Sequence, residues 1–157
     1  MKLLDILSAV VVVDFGTIVL SKFFNLGKSL DKWYAKFGMT AVLSDCLVIV
    51  LGILLALLIN PKASVLSLLI LAVFIQVVHD ILFYFAVVRP VPKGQNEMID
   101  LFKEYAAENS WKIVVADSAM IASTVVLADY FSKISDSLVV FTGLLSTYAL
   151  SYIIYTH

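Results

Sequence analysis

The stretch VLSLLILAVFIQVVHDILFYFAVV, Val65 to Val88, is 24 residues long and contains no Lys, Arg or Glu. A helix of that length reaches about 36 Å at ~1.5 Å per residue, more than the ~30 Å hydrocarbon layer of a bilayer. A water-soluble core breaks its apolar residues into short amphipathic pieces, so this run reads as a membrane-spanning helix. Four more runs of the same kind lie at residues 3–23, 38–59, 111–131 and 138–155. The composition agrees, with 62% hydrophobic and 15% charged residues. The expected fold is all-α: a single domain, residues 1–157, forming a polytopic bundle of five transmembrane helices with a short amphipathic interfacial helix.

The first run is read as a mature helix rather than a secretory signal, because Asp14 lies in its middle and no small-x-small cleavage site follows. The one cysteine, Cys46, excludes an internal disulfide and is read as a small apolar filler. Lys22, Lys28, Lys32, Lys36, Arg89, Lys93, Lys103 and Lys112 fall in two loops, whereas only Lys2, Lys62 and Lys133 fall at the opposite ends. The positive-inside rule places the two rich loops on the inner side, with the N-terminus outside and the C-terminus cytoplasmic.

Lys28, Lys32 and Lys36 recur every four residues on one helical face, beside Leu30, Trp33, Tyr34 and Phe37. This segment is expected at the lipid interface, either capturing anionic headgroups or serving as the ordinary topology signal, and Trp111 is a further interface anchor. After RPVPKG, Asn96 is placed to cap a short helix over residues 97–108 that lies on the inner membrane surface or docks to a partner such as a capsid layer. No internal repeat is visible.

Four spans carry an aspartate: Asp14, Asp45, Asp80 and Asp117. Counted from the inner side at ~1.5 Å per residue, Asp45, Asp80 and Asp117 lie about 9 to 12 Å deep and Asp14 about 14 Å. An acid at such depth costs about 2.5 to 3.5 kcal/mol, which a dozen apolar neighbours offset, so these groups face the bundle interior and find partners. Gln76, four residues before Asp80, selects Asp80 over His79 as the inward group, because adjacent helical residues point ~100° apart. The four acids are expected to face one another across the bundle, with His79 at the margin or turned toward the inner interface. Gly143, Thr147 and Ser151 form a small-residue stripe that makes the fifth span a close-packing partner.

Two functions follow from different classes. The carboxylates with His79 and Gln76 bind protons or cations in a channel or transporter, or they hold the helices together in a structural membrane protein. A bound divalent metal is a third reading of the acids, although His79 and Asp80 point too far apart to share one ion. The chain lacks Gly-x-Ser-x-Gly, His-Glu-x-x-His and Gly-x-x-x-x-Gly-Lys, so no enzyme activity, cofactor or resident metal is expected. Its net charge of −1 argues against nucleic acid. The partners expected are the lipid bilayer, protons or cations, and a second copy of the chain or a capsid.

KWYAKFGMTAVLSDCLVIVLGI, VHDILFYF and FKEYAAENSWKIVVADSAM, across most of residues 28–120, resemble a group of small multi-pass proteins encoded by large DNA viruses of algae and protists. The resemblance implies a viral origin, and with it a host membrane or the internal membrane of a virion. It implies no catalytic residue.

Overall fold

The computed structural model describes residues 1–24 and 28–156. Among them are seven helices: α1 (Leu3–Phe24), α2 (Lys28–Phe37), α3 (Met39–Ile59), α4 (Val65–Phe83, continued by a π-helical turn, Tyr84–Val88), α5 (Glu97–Asn109), α6 (Lys112–Phe131) and α7 (Asp136–Ile153). Local chemistry sets their ends. The Ser64 hydroxyl accepts from the Ser67 N–H at 3.2 Å to start α4, and the Asn96 side chain accepts from Met98 and Ile99 at 3.0 and 3.1 Å to start α5. Pro90 and Pro92 stop the third span after its π turn.

Five of these helices are long and apolar enough to cross a membrane, and only 17 to 39% of their most apolar windows is buried within the protein. Leu51, Leu58, Phe74 and Phe141 are among the side chains left outside. So much unburied apolar surface requires hydrocarbon around it. The protein is an integral membrane protein.

The spans are not equivalent in position. α1 packs on α6 and α3, and α4 packs on the same two, so α1, α6, α4 and α3 close a four-membered ring. α7 lies outside it against α1. Gly143 lets the α1–α7 pair close up: a Cβ there would stand 2.8 Å from the Ser8 hydroxyl and 3.2 Å from the Ser8 Cα. The Lys2–Asp136 ion pair, at 2.8 Å, ties the pair at one end, and Lys22 donates to the Thr156 carbonyl at the other. The expected packing stripe of Gly143, Thr147 and Ser151 does not form. Gly143 is buried, but Thr147 and Ser151 are exposed and donate back to the carbonyls of Gly143 and Thr147, while the packed line is Val139, Gly143, Ser146, Leu150 and Ile154. A hydroxyl bonded to its own backbone tolerates lipid, so small polar residues did not mark the protein side uniquely.

α2 and α5 pack against each other across one end of the bundle, α2 also on α3 and α5 also on α6. They form a cap. A span, a short amphipathic helix and a second span thus occur twice in order, α1-α2-α3 and α4-α5-α6, before α7. This is an element-level repeat that the residue identities had hidden.

Candidate functional site

Each ring helix carries one of the four aspartates and α7 carries none at that depth. Asp14, on α1, is fully buried, and neither of its carboxyl oxygens has a hydrogen-bond partner among the described residues. Asp45, on α3, is held from the cap: Oδ2 accepts from Trp33 Nε1 and from the Tyr34 hydroxyl, both at 3.1 Å. On α4, Gln76 is 2% exposed and its amide donates to Asp80 Oδ1 at 2.8 Å, while His79 Nδ1 stands 3.1 Å from the same oxygen. The other Asp80 oxygen has no partner among the described residues. The His79 side chain is 44% exposed against 13% for Asp80, so the aspartate is the inward group of the two.

The acids do not make one nest. No three His, Cys, Asp or Glu side chains among the described residues converge closely enough to hold a metal ion. Instead their charges couple in a row that crosses the ring: Asp14 with Asp45, Asp45 with Asp117 over the α3–α6 contact, and Asp117 with Asp80.

Two cap tyrosines report on the row. Burial raises the Tyr34 phenol well above its usual range, and the charges of Asp45 and Asp14 raise it further. Tyr105 is raised by burial, then by Asp117 and Asp45. An aromatic line joins the Asp80 and Asp45 sides of the site: His79 stacks on Phe83 with centroids 5.7 Å apart, Phe83 meets Phe102 edge-on at 5.7 Å, and Phe102 lies 4.8 Å from Trp33.

The cap itself is clasped by charge. Lys36 pairs with Glu97 at 3.2 Å and Lys32 with Glu104 at 3.1 Å. Glu108 accepts from the backbone N–H groups of Lys28 and Ser29 at 3.1 and 2.9 Å, closing the start of α2. Hydrogen bonds from Ser29 hold the Glu108 carboxyl below its ordinary value. The contacts run 36 to 97, 32 to 104 and 28 to 108, so the helices are antiparallel.

The lysine face expected to meet lipid therefore meets α5 at Lys32 and Lys36. Trp33, expected at the interface, is 6% exposed beneath α5, because its indole N–H has a buried carboxylate to satisfy. Trp111 is 69% exposed at the start of α6. The pairing had a signal in the sequence: Glu97, Glu104 and Glu108, spaced seven and four, form an acidic stripe that matches the lysine stripe.

No family model matches this sequence, and neither a curated protein nor a solved structure matches it. Fold and exposure define the class, an all-α integral membrane helical bundle with an amphipathic cap.

Proposed function

We propose that the protein binds protons on the carboxyls inside its helix ring and passes them through the membrane. Asp14 carries the proposal, since it is fully buried with neither oxygen partnered among the described residues. An isolated carboxylate in an apolar setting costs many kcal/mol, so such a group takes a proton or meets a cation. The lack of a three-ligand cluster among the described residues favours the proton over a chelated metal. The half-exposed His79 beside Asp80 supplies a second side chain able to carry a proton, of the kind such relays use.

The resemblance of residues 28–120 supports a host membrane or an internal virion membrane as the setting of this activity. The eight cations in the cap-side loops support a cap that faces the cytoplasm. The test is the full chain in sealed liposomes under an imposed potassium potential, with a pH dye inside. Wild type acidifies or alkalinises the lumen with the sign of the potential, and Asp14→Asn, which keeps the shape and removes the acid, stops it. Flux that persists unchanged in Asp14→Asn refutes the proposal.

A structural reading has its own support. Two shallow grooves lie on outer faces, one lined by Leu66, Ile70 and Phe74 of α4 and the other by Ala122, Val126 and Tyr130 of α6, and neither touches an acid. On that reading the liposomes show no flux, and Asp45→Asn acts on stability alone.

A further inference from the structure

The two halves correspond more closely than their element order requires. α2 passes into α3 through Gly38 at φ 52, ψ −130, and α5 passes into α6 through Ser110 at φ 48, ψ −128, the same uncommon backbone conformation. Gly tolerates it freely, whereas Ser adopts it only under constraint. Asp45 follows Gly38 by seven residues and Asp117 follows Ser110 by seven. In that register Trp33 corresponds to Tyr105 and Lys32 to Glu104, and the charges invert: Asp31 with Lys103, Lys36 with Glu108.

The packing repeats as well. Exchanging α1 with α4 and α3 with α6 turns the α1–α6 contact into α4–α3, α1–α3 into α4–α6, and α2–α3 into α5–α6, all of which occur. α2 with α5, and α3 with α6, exchange into themselves and also touch. Lys32 and Glu104 are equivalent positions and are paired at 3.1 Å, so the axis relating the halves passes close to them. Both halves run their first span toward the cap and their second away from it, which sets that axis along the membrane normal.

We infer that the chain is a tandem of two span–cap–span units about this pseudo-two-fold axis, and that Asp45 and Asp117, one from each unit, form a single proton-binding site at the axis beneath the cap. The inference rests on the proton reading above and names where its central station lies. The row of acids is symmetric in this frame: Asp14 and Asp45 in one unit, Asp80 and Asp117 in the other, joined at Asp45 and Asp117. Asp14, fully buried and unpartnered among the described residues, lies on α1, which packs on both α3 and α6, and its charge acts on Asp45, Tyr34 and Cys46. Tyr105 of the cap feels both central carboxyls. In repeat-built transporters the interface between repeats near mid-membrane is where substrate sits.

Trp33 provides a local reporter, because its indole N–H is bonded to Asp45 and the chain has only one other tryptophan, Trp111. The titratable groups around Asp45 are Tyr34 on α2, Tyr105 on α5, Asp14 on α1, Asp117 on α6 and Cys46 on its own helix, while Asp80 of α4 faces Asp117. In the full chain carrying Trp111→Phe, reconstituted in lipid, Trp33 fluorescence is followed against pH.

A single site expects Asp117→Asn to move the midpoint by about half a pH unit or more, and Asp45→Asn to abolish the transition. A midpoint unmoved by Asp117→Asn overturns the shared site. In the flux assay each Asn variant is expected to slow transport about tenfold or more, with the double variant no slower than the worse single, as for residues acting as one unit. Losses that multiply mean two independent stations and also overturn it.

If wild type moves no protons while the Trp33 midpoint still responds to Asp117→Asn, the transport proposal fails and the paired site stands. Should Asp117→Asn not fold, Asp117→Glu replaces it, keeping the acid but displacing it by a methylene. It is expected to move the midpoint while the neighbouring Ser118→Ala leaves it in place, and equal midpoints in the two would overturn the site.

Discussion

Removing the Tyr34 hydroxyl tests how the cap is fastened to the bundle. Tyr34 is 4% exposed and its hydroxyl donates to Asp45 Oδ2 at 3.1 Å, an oxygen that also receives the Trp33 indole N–H. Hydrogen bonds between membrane helices average ~0.6 kcal/mol and reach ~1.7, whereas bonds to charged groups elsewhere contribute about 1.5 to 3. Trp33 continues to serve Oδ2 after Tyr34→Phe, which holds the loss toward the lower part of that span. The expected coupling is about 1 to 2 kcal/mol, roughly a 5- to 30-fold change in the folded ratio. The assay is a double-mutant cycle of Tyr34→Phe and Asp45→Ala by reversible unfolding in micelles. A coupling within about 0.3 kcal/mol of zero would refute the latch, because non-interacting sites add to that precision.

Four further outcomes are expected. Lys32→Glu, facing Glu104, loosens the cap by an amount that salt screens, and Lys32→Glu with Glu104→Lys restores it; a double variant no better than the single would remove the antiparallel clasp. Gly143→Val, whose Cβ would meet Ser8, lowers stability by about 1 to 3 kcal/mol in thermal unfolding. Ser110→Gly, at φ 48, raises it by about 1 kcal/mol or more, and destabilisation would show that the serine is not strained there. The pH dependence of the cap follows from Glu108: a carboxyl held low in the folded state contributes stability that is fully present above its unfolded value of about 4.3 and is lost as pH falls through the lower folded value. Proteolysis of the cap loops should therefore rise on acidification, and Glu108→Gln should remove that acid-dependent step.

The spans were legible because apolar runs of membrane length have few other uses, and the structured ends of the third span, Val65 and Val88, agree with the reading residue for residue. The cap was half legible: Asn96 and the prolines announced α5, but assigning the lysines to lipid treated each loop alone. Only the match between Lys28, Lys32 and Lys36 and the acids of α5 joins them. The repeat was hidden for a related reason. Equivalent positions such as Lys32 and Glu104 carry opposite charges so that they can attract across an axis, and a search for identity scores that as mismatch. The inward set of small residues on α7 could not be chosen from the sequence, since a back-bonded hydroxyl is tolerated on either face.

Those back-bonded hydroxyls change what kind of object α7 is. Thr142, Thr147 and Ser151 give second donors to the carbonyls of Leu138, Gly143 and Thr147, and Gly143 leaves the helix without a side chain midway. Carbonyls shared in this way weaken and bend a helix. α7 packs on the ring chiefly along α1, is pinned near its two ends by Lys2 and Lys22, and carries none of the four intramembrane aspartates. α7 is therefore expected to bend more readily than the ring spans, so that a change in bilayer thickness is taken up at the rim before it reaches the carboxyls.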